Sequence, residues 1–270
     1  MTTLGPESAS WRINGERAVV LGWPCAILMQ FAHPLIAAGV AEHSSFRQSR
    51  LSPLVRLHGT IQAMLGLTFG DEPMAAAAAD RINRIHDHVT GTLPESAGPY
   101  RAGTPYSAHD PELLAWVQLT LLDTMPRAYD LLVGPLARAD KDAYCVEARV
   151  GAARLGLPGE LIPATFDEVS RAVSARLTDG SLMVTEAARA LARDILTPGT
   201  PAPWPLGRIH RLITVGLLPA ELRKAYGLSW SIRDERALAR WSAGLRWASL
   251  RTPAALRRWR AARRDGCSRL

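Results

Sequence analysis

"AVVLGWPCAILMQFAHPLIAAGVA", residues 18–41, carries no formal charge along its length, and its reading decides the fold. As one straight helix it is long enough to cross a bilayer, which takes about 20 apolar residues. Pro24 and Pro34 interrupt it, and Gln30 and His33 put polar groups inside it. Each proline removes a backbone donor and breaks the helical ladder, and lipid offers the freed carbonyls nothing to bond. The stretch therefore reads as two helices buried in protein and meeting at His33-Pro34, with no membrane span. The residue before a proline is pushed out of the helical region, so His33 is a turn residue in an apolar setting, and backbone hydrogen bonding is its default role.

The rest of the chain follows the same pattern. Apolar residues recur at helical spacing between Gly and Pro punctuation, without the β-branched alternation of strands. The expectation is an all-α single domain over residues 1–270, with 1–15 as an N-terminal extension and 221–270 as a basic helical segment. Helices are predicted over 16–32, 34–43, 52–68, 73–90, 110–129, 135–155, 164–178, 183–196, 204–214, 219–226 and 234–264, the last broken at Pro253. Asp110 and Pro111 in "HDPELLAW" suit a helix cap and first turn. The Gly/Pro/Ser-rich stretch 92–109 is read as a long loop that shapes access to a site, and 197–205 as a linker.

At 270 residues with 47% hydrophobic content, the chain can bury a sizeable core. Its net charge of +7 is uneven: residues 221–270 hold 13 Arg or Lys against 4 Asp or Glu, and the remainder holds 19 against 21. Only Lys141 and Lys224 are lysines, so imine-forming chemistry has almost no candidates. Cys25, Cys145 and Cys267 are odd in number and form no CxxC or CxxCH, which disfavours a disulfide framework, a cysteine zinc site and covalent haem. A cytoplasmic location is expected. The stretch "MTTLGPESASWRINGER" does not read as a secretory signal.

Two helices carry polar residues on apolar faces. In "RINRIHDHVTG", residues 81–91, Ile82, Ile85, His86 and Val89 share one stripe, and Arg81, Arg84 and His88 share another. His86 is expected to face inward and His88 outward; two histidines at i and i+2 diverge too far to hold one metal. The wheel leaves open whether His86 is a core histidine or a ligand. In "SPLVRLHGTIQAMLGLTFG", Arg56, Thr60 and Ala63 fall together beside Met64 and Leu67. A buried guanidinium needs an anionic partner, either a carboxylate such as Glu42 or a ligand. No complete GxGxxG, Walker, HExxH, EF-hand or GxSxG motif occurs.

In order and spacing, "AHPLIAAGVAEHSSF", "RLHGTIQAMLGLTFGDEP", "IHDHVTG" and "YSAHDPELLAWVQLTLLDT" resemble the MpaB-like oxygenase family, which includes the rubber-cleaving latex clearing protein. The likeness runs from about Ala18 to Tyr129 and more loosely to "LLPAELRKAYGLSWS". It implies a globin-like helical core around a non-covalent b-type haem, with the histidine of HxxVxG, here His86, as the proximal iron ligand. The RxxxT pair, Arg56 and Thr60, would line the distal side, where donors stabilise negative charge developing on dioxygen. The rubber-cleaving enzyme has a lysine directly before that threonine; Gly59 stands here and cannot bind iron. The distal side would then be open, water-bound or covered by His58 or His33.

The reading that follows is a haem b-dependent oxidoreductase activating dioxygen or peroxide on an apolar small molecule. The substrate would enter along the aliphatic faces of 16–43 and 52–68, and any electrons would come from an external donor. The competing reading is a haem-binding sensor or carrier without turnover. A third feature is the arginine-rich end with Trp241, Trp247 and Trp259. Trp241, Leu245 and Trp247 are expected to pack on the domain with the arginines outward; the competing role is attraction of anionic lipid or nucleic acid, and no specific nucleic-acid partner is expected.

Overall fold

The computed structural model describes residues 4–43, 52–197 and 204–263, leaving aside the side chains of 52–58 and 204–205. The charge-free run is a bent pair. A 3-10 segment, Arg17–Gly22, leads into α2 (Trp23–Phe31), and α3 (Pro34–His43) leaves at 109°. Cys25, Ala26, Leu28, Met29, Leu35 and Ala37 are buried. Helix ends buried in a core leave carbonyls that need partners, and tertiary donors supply them. The Tyr226 hydroxyl donates to the Leu28 carbonyl at 2.7 Å, the Trp116 indole to that of Met29 at 3.2 Å, and the Met183 N–H to that of Ala32 at 2.8 Å. Among the described residues no single helix is long and apolar enough to cross a membrane.

The helix against which most of the core packs is α6 (Pro111–Leu132), which meets the charge-free run and five further helices. Asp110 caps it, its carboxylate accepting from the Glu112 N–H at 2.8 Å, and Pro111 fills the first position, where a missing N–H costs nothing. Trp116, Leu119, Leu122, Met125, Ala128 and Leu132 bury its inner stripe. The chain at Gly22 crosses it so closely that a Cβ there would lie 2.6 Å from the Ala128 methyl. Around this core lie α4 (Ser52–Phe69), α5 (Glu72–His86), α7 (Arg138–Arg154), α8 (Phe166–Thr178), α9 (Glu186–Leu196), α10 (Trp204–Leu217), α11 (Ala220–Ala225), α12 (Ile232–Arg251) and α13 (Ala254–Arg257). The fold is all-α apart from one small hairpin.

Three expectations change. First, the supposed N-terminal extension contains α1 (Ala9–Gly15), whose Trp11 and Ile13 are buried. Its free N–H groups are met by α7, where the Glu147 carboxylate accepts from Ala9 at 3.0 Å and Ser10 at 2.7 Å. The C-terminal end closes over it: Arg257 pairs at 2.6 Å with the buried Glu16, and the Trp259 N–H donates to the Gly15 carbonyl. Second, the helix predicted to reach residue 90 stops at His86, and the predicted 92–109 loop is a loop over 93–104 closed at its base by a short hairpin. β1 (Thr90–Thr92) pairs antiparallel with β2 (Pro105–Ser107), because β-branched Val89 and Thr90 and then Gly91 do not prolong a helix. Third, of the tail residues expected to pack, Leu245 lies against the core, but Trp241 and Trp247 are exposed. The linker at 197–205 falls largely outside the described residues.

Candidate functional site

The hairpin turns the chain back over the end of α5. His86 ends that helix, and Asp87 caps it. The return strand delivers His109, which bonds through Nε2 to the Asp87 carboxylate at 2.8 Å and lies edge-on to the His86 ring with centroids 5.7 Å apart. His86 is half-buried, and its Nδ1 is buried with no hydrogen-bond partner among the described residues. Burial, and then the neighbouring His109, hold its pKa below the ordinary histidine value. The imidazole is therefore neutral at physiological pH, the form that binds metals. Among the described residues no group of three or more His, Cys, Asp or Glu side chains comes together as a metal site.

Beside His86 lies an open concavity of about 460 Å³ lined by His43, Arg81, Arg84, Ile85, His88 and Val89. His86 is not in its lining. Ile85, placed inward by the helical wheel, is 58% exposed, because nothing among the described residues covers this side of the last turn of α5. His88 is exposed, as expected, and opens onto the same space. Arg81 and Arg84 make no ion pair with any described residue.

The wall behind the concavity is built around Tyr106. Its hydroxyl donates to the Glu42 carboxylate, and burial, followed by that carboxylate, raises its pKa. His43 Nε2 donates to the Thr90 carbonyl at 3.0 Å. Tyr106 fits because it faces two glycines: a Cβ on Gly91 would stand 2.5 Å from the phenol oxygen, and one on Gly39 3.3 Å from the ring. The glycine of HxxVxG is thus a packing requirement of the hairpin. Tyr106 and His109 were not singled out from the sequence. They lie 20 or so residues beyond His86, and only the Gly91–Tyr106 register brings His109 to it and Tyr106 to the hairpin beside it.

The other sequence candidates are dispersed. His33 is buried at the start of α3, about 15 Å of helical rise from His43, and its Nε2 bonds to the Tyr100 hydroxyl at 2.9 Å. Burial, and next Arg176, lower its pKa to about 4, so it remains neutral. Thr60 is exposed on α4, and among the described residues nothing lies within 4 Å of a Cβ placed on Gly59. The side chains of Arg56 and His58 lie outside the described residues, and the described partner of Glu42 is Tyr106. The aliphatic faces of 16–43 and 52–68 meet at Val19, Val20, Trp23, Ile61, Met64 and Leu65 around a cavity of only about 20 Å³, room for one water. Cys25 and Cys145 are buried, their thiols pushed up to about 12 chiefly by burial, and are not nucleophiles.

Comparison with known proteins gives this arrangement a family. Residues 11–247 match the model described as ER-bound oxygenase mpaB/B'/rubber oxygenase, catalytic domain. The chain is 27% identical over 218 residues to the uncharacterized protein Rv2237 of Mycobacterium tuberculosis, covering 78% of this chain and 80% of the other. It has the same identity and coverage with the uncharacterized protein Mb2261 of Mycobacterium bovis. No solved structure matches it. Through a match that spans α1 to α12 and includes every residue of the concavity, the chain belongs to the mpaB/rubber oxygenase catalytic-domain family, and its general role is that of an oxygenase acting with dioxygen on an organic substrate.

Proposed function

We propose that this protein is a haem b-dependent oxygenase that oxidises an apolar small molecule, with His86 as the proximal iron ligand. The observation that carries the proposal is the His86 imidazole, neutral, half-buried and with a buried nitrogen that no described residue bonds. Such an atom costs about 1–3 kcal/mol unless a partner meets it. The residues fit the cofactor. Haem would bring most of its iron's ligands with it, so one imidazole from the chain, His86, would suffice to hold it. An open concavity of about 460 Å³, lined by His43, Arg81, Arg84, Ile85, His88 and Val89 but not by His86 itself, adjoins the turn that carries the imidazole. The guanidinium groups of Arg81 and Arg84, unpaired among the described residues, suit the two propionates.

When bound, haem b supplies the activation of dioxygen or peroxide. The chain contributes what surrounds it. Ile85 and Val89 give the concavity an apolar wall, and His109, fixed by Asp87, orients against the His86 ring. Arg56 and Thr60, from α4, are proposed as donors toward negative charge developing on the oxidant. Electrons, where needed, come from an external donor.

The deciding measurement is the visible spectrum of protein expressed with adequate haem supply. A Soret band is expected in the wild type and in His88→Ala, and its loss in His86→Ala. Retention in His86→Ala with loss in His88→Ala would move the ligand into the concavity itself. No band in any variant, even after haemin is added, would end the haem reading. Turnover is read as dioxygen consumption by the reduced protein on adding apolar substrates.

A further inference from the structure

The long helix α12 presents an outward face that no described residue covers. α12 packs on α6 and α10 through Ala237, Leu238 and Ser242. The contact with α10 is so close that a Cβ on Gly216 would run into Leu238. On the opposite side Ile232, Arg236, Ala239, Ala243, Trp247 and Leu250 recur three and four residues apart, the spacing of a single helical stripe. All six are exposed, Trp247 at 60%, Ile232 at 65% and Leu250 at 81%. Leu256, just beyond the helix, is 65% exposed.

Cations flank this stripe. Arg233, Arg240 and Arg251 lie on one side and Arg246 on the other; Arg251 stacks on Trp247, with its guanidinium 4.2 Å from the ring centroid. None of these arginines, nor Arg236, pairs with a carboxylate among the described residues. The only two acids of α12 are tied down elsewhere at its first turn. Asp234 closes the capping box with Ser231, and Glu235 accepts from the Trp230 indole at 2.7 Å.

We propose that this face docks the protein on an anionic lipid bilayer, with α12 lying in the interface plane. A stripe of Ile, Ala, Trp and Leu, with Arg236 within it and further arginines along its edges, is a composition that inserts shallowly between headgroups while its cations meet lipid phosphates. Tryptophan belongs at that depth, and arginine stems pack along apolar surface with the charge in the polar layer. The aliphatic side chains favour lipid over nucleic acid: arginine and tryptophan would serve a polyanion equally well, but exposed Leu250 and Ile232 gain from an acyl layer and not from the phosphate contacts that dominate nucleic-acid binding. The inference is independent of the iron site.

The test is co-sedimentation of the full-length protein with vesicles of phosphatidylcholine alone or mixed with phosphatidylglycerol, at low and raised salt. Binding is expected only to the anionic vesicles, weakening as salt rises, with a blue shift of tryptophan emission that Trp247→Phe reduces. Each arginine near such a surface is worth about fivefold in affinity, so Arg240→Ala with Arg251→Ala should weaken binding roughly 25-fold. Leu250→Ser should also weaken it while circular dichroism stays unchanged. Equal binding to neutral vesicles, or no binding at low salt, overturns the proposal. So does tighter binding to an RNA or DNA oligonucleotide that Leu250→Ser leaves intact.

Discussion

The phenol of Tyr106 ends against Gly91, its oxygen 2.5 Å from where a Cβ on that residue would stand, and the two are direct partners across the hairpin. Gly91→Ala must therefore displace a buried tyrosine from its place against Glu42. Overpacking of this kind costs about 1–3 kcal/mol, to be read as a lower urea midpoint with unchanged slope. Tyr106→Phe keeps the ring and loses only a hydrogen bond to a carboxylate, about 1.5–3 kcal/mol at most. If Gly91→Ala proves neutral, the close approach is not a packing constraint.

His109 is held beside His86 by Asp87. Substituting Asp87→Ala should free that imidazole and weaken haem retention by less than the roughly tenfold lost when a group hydrogen-bonded to a metal ligand is removed, since His109 meets His86 only ring to ring. A haem titration followed at the Soret band measures it. An unchanged dissociation constant would show that His109 has no part in orienting the ligand.

Arg56→Ala should leave bound haem in place and change the rate at which the reduced protein reacts with dioxygen; stopped-flow mixing reads this, and an identical rate would remove Arg56 from the site. Gly59 offers a gain-of-feature counterpart. No described residue crowds it and it sits in a helix interior, so Gly59→Lys should raise stability by about 0.5–1 kcal/mol. It would also place an amine where the rubber-cleaving relative has one. A shift of the iron spectrum toward low spin would show that the lysine reaches the iron; an unaltered spectrum would separate α4 from the distal side.

Buried His33 gives a pH signature. Its pKa is about 4 in the folded chain against about 6.5 when unfolded. Below the unfolded value the unfolded chain binds the proton that the folded chain refuses, so stability is complete above about pH 6.5 and is lost as pH falls toward 4. The full effect is about 3 kcal/mol. The groups facing His33 are Tyr100, Arg176, Asp110 and Asp179. Denaturant melts between pH 4 and 7 should show a steeper decline for the wild type than for His33→Asn, in which this group no longer titrates. Parallel curves would contradict the burial argument.

The sequence by itself determined the all-α class, the bend at His33-Pro34, most helices and the residues that place the chain in its family. These are matters of local physics: proline stereochemistry, capping chemistry and apolar period act within a few residues. It also turned His88 outward. It did not determine which wall stands behind His86, that Ile85 is exposed, that residues 9–15 join the core, or that Trp247 faces outward. Those depend on what covers each face, and the covering elements come from far along the chain. His109 and Tyr106 reach the end of α5 only through the hairpin register, Glu147 reaches α1 from α7, and Arg257 reaches Glu16 from the far end of the chain. A helical period says that a side chain has a face, and only tertiary packing decides whether that face meets protein, a ligand or solvent.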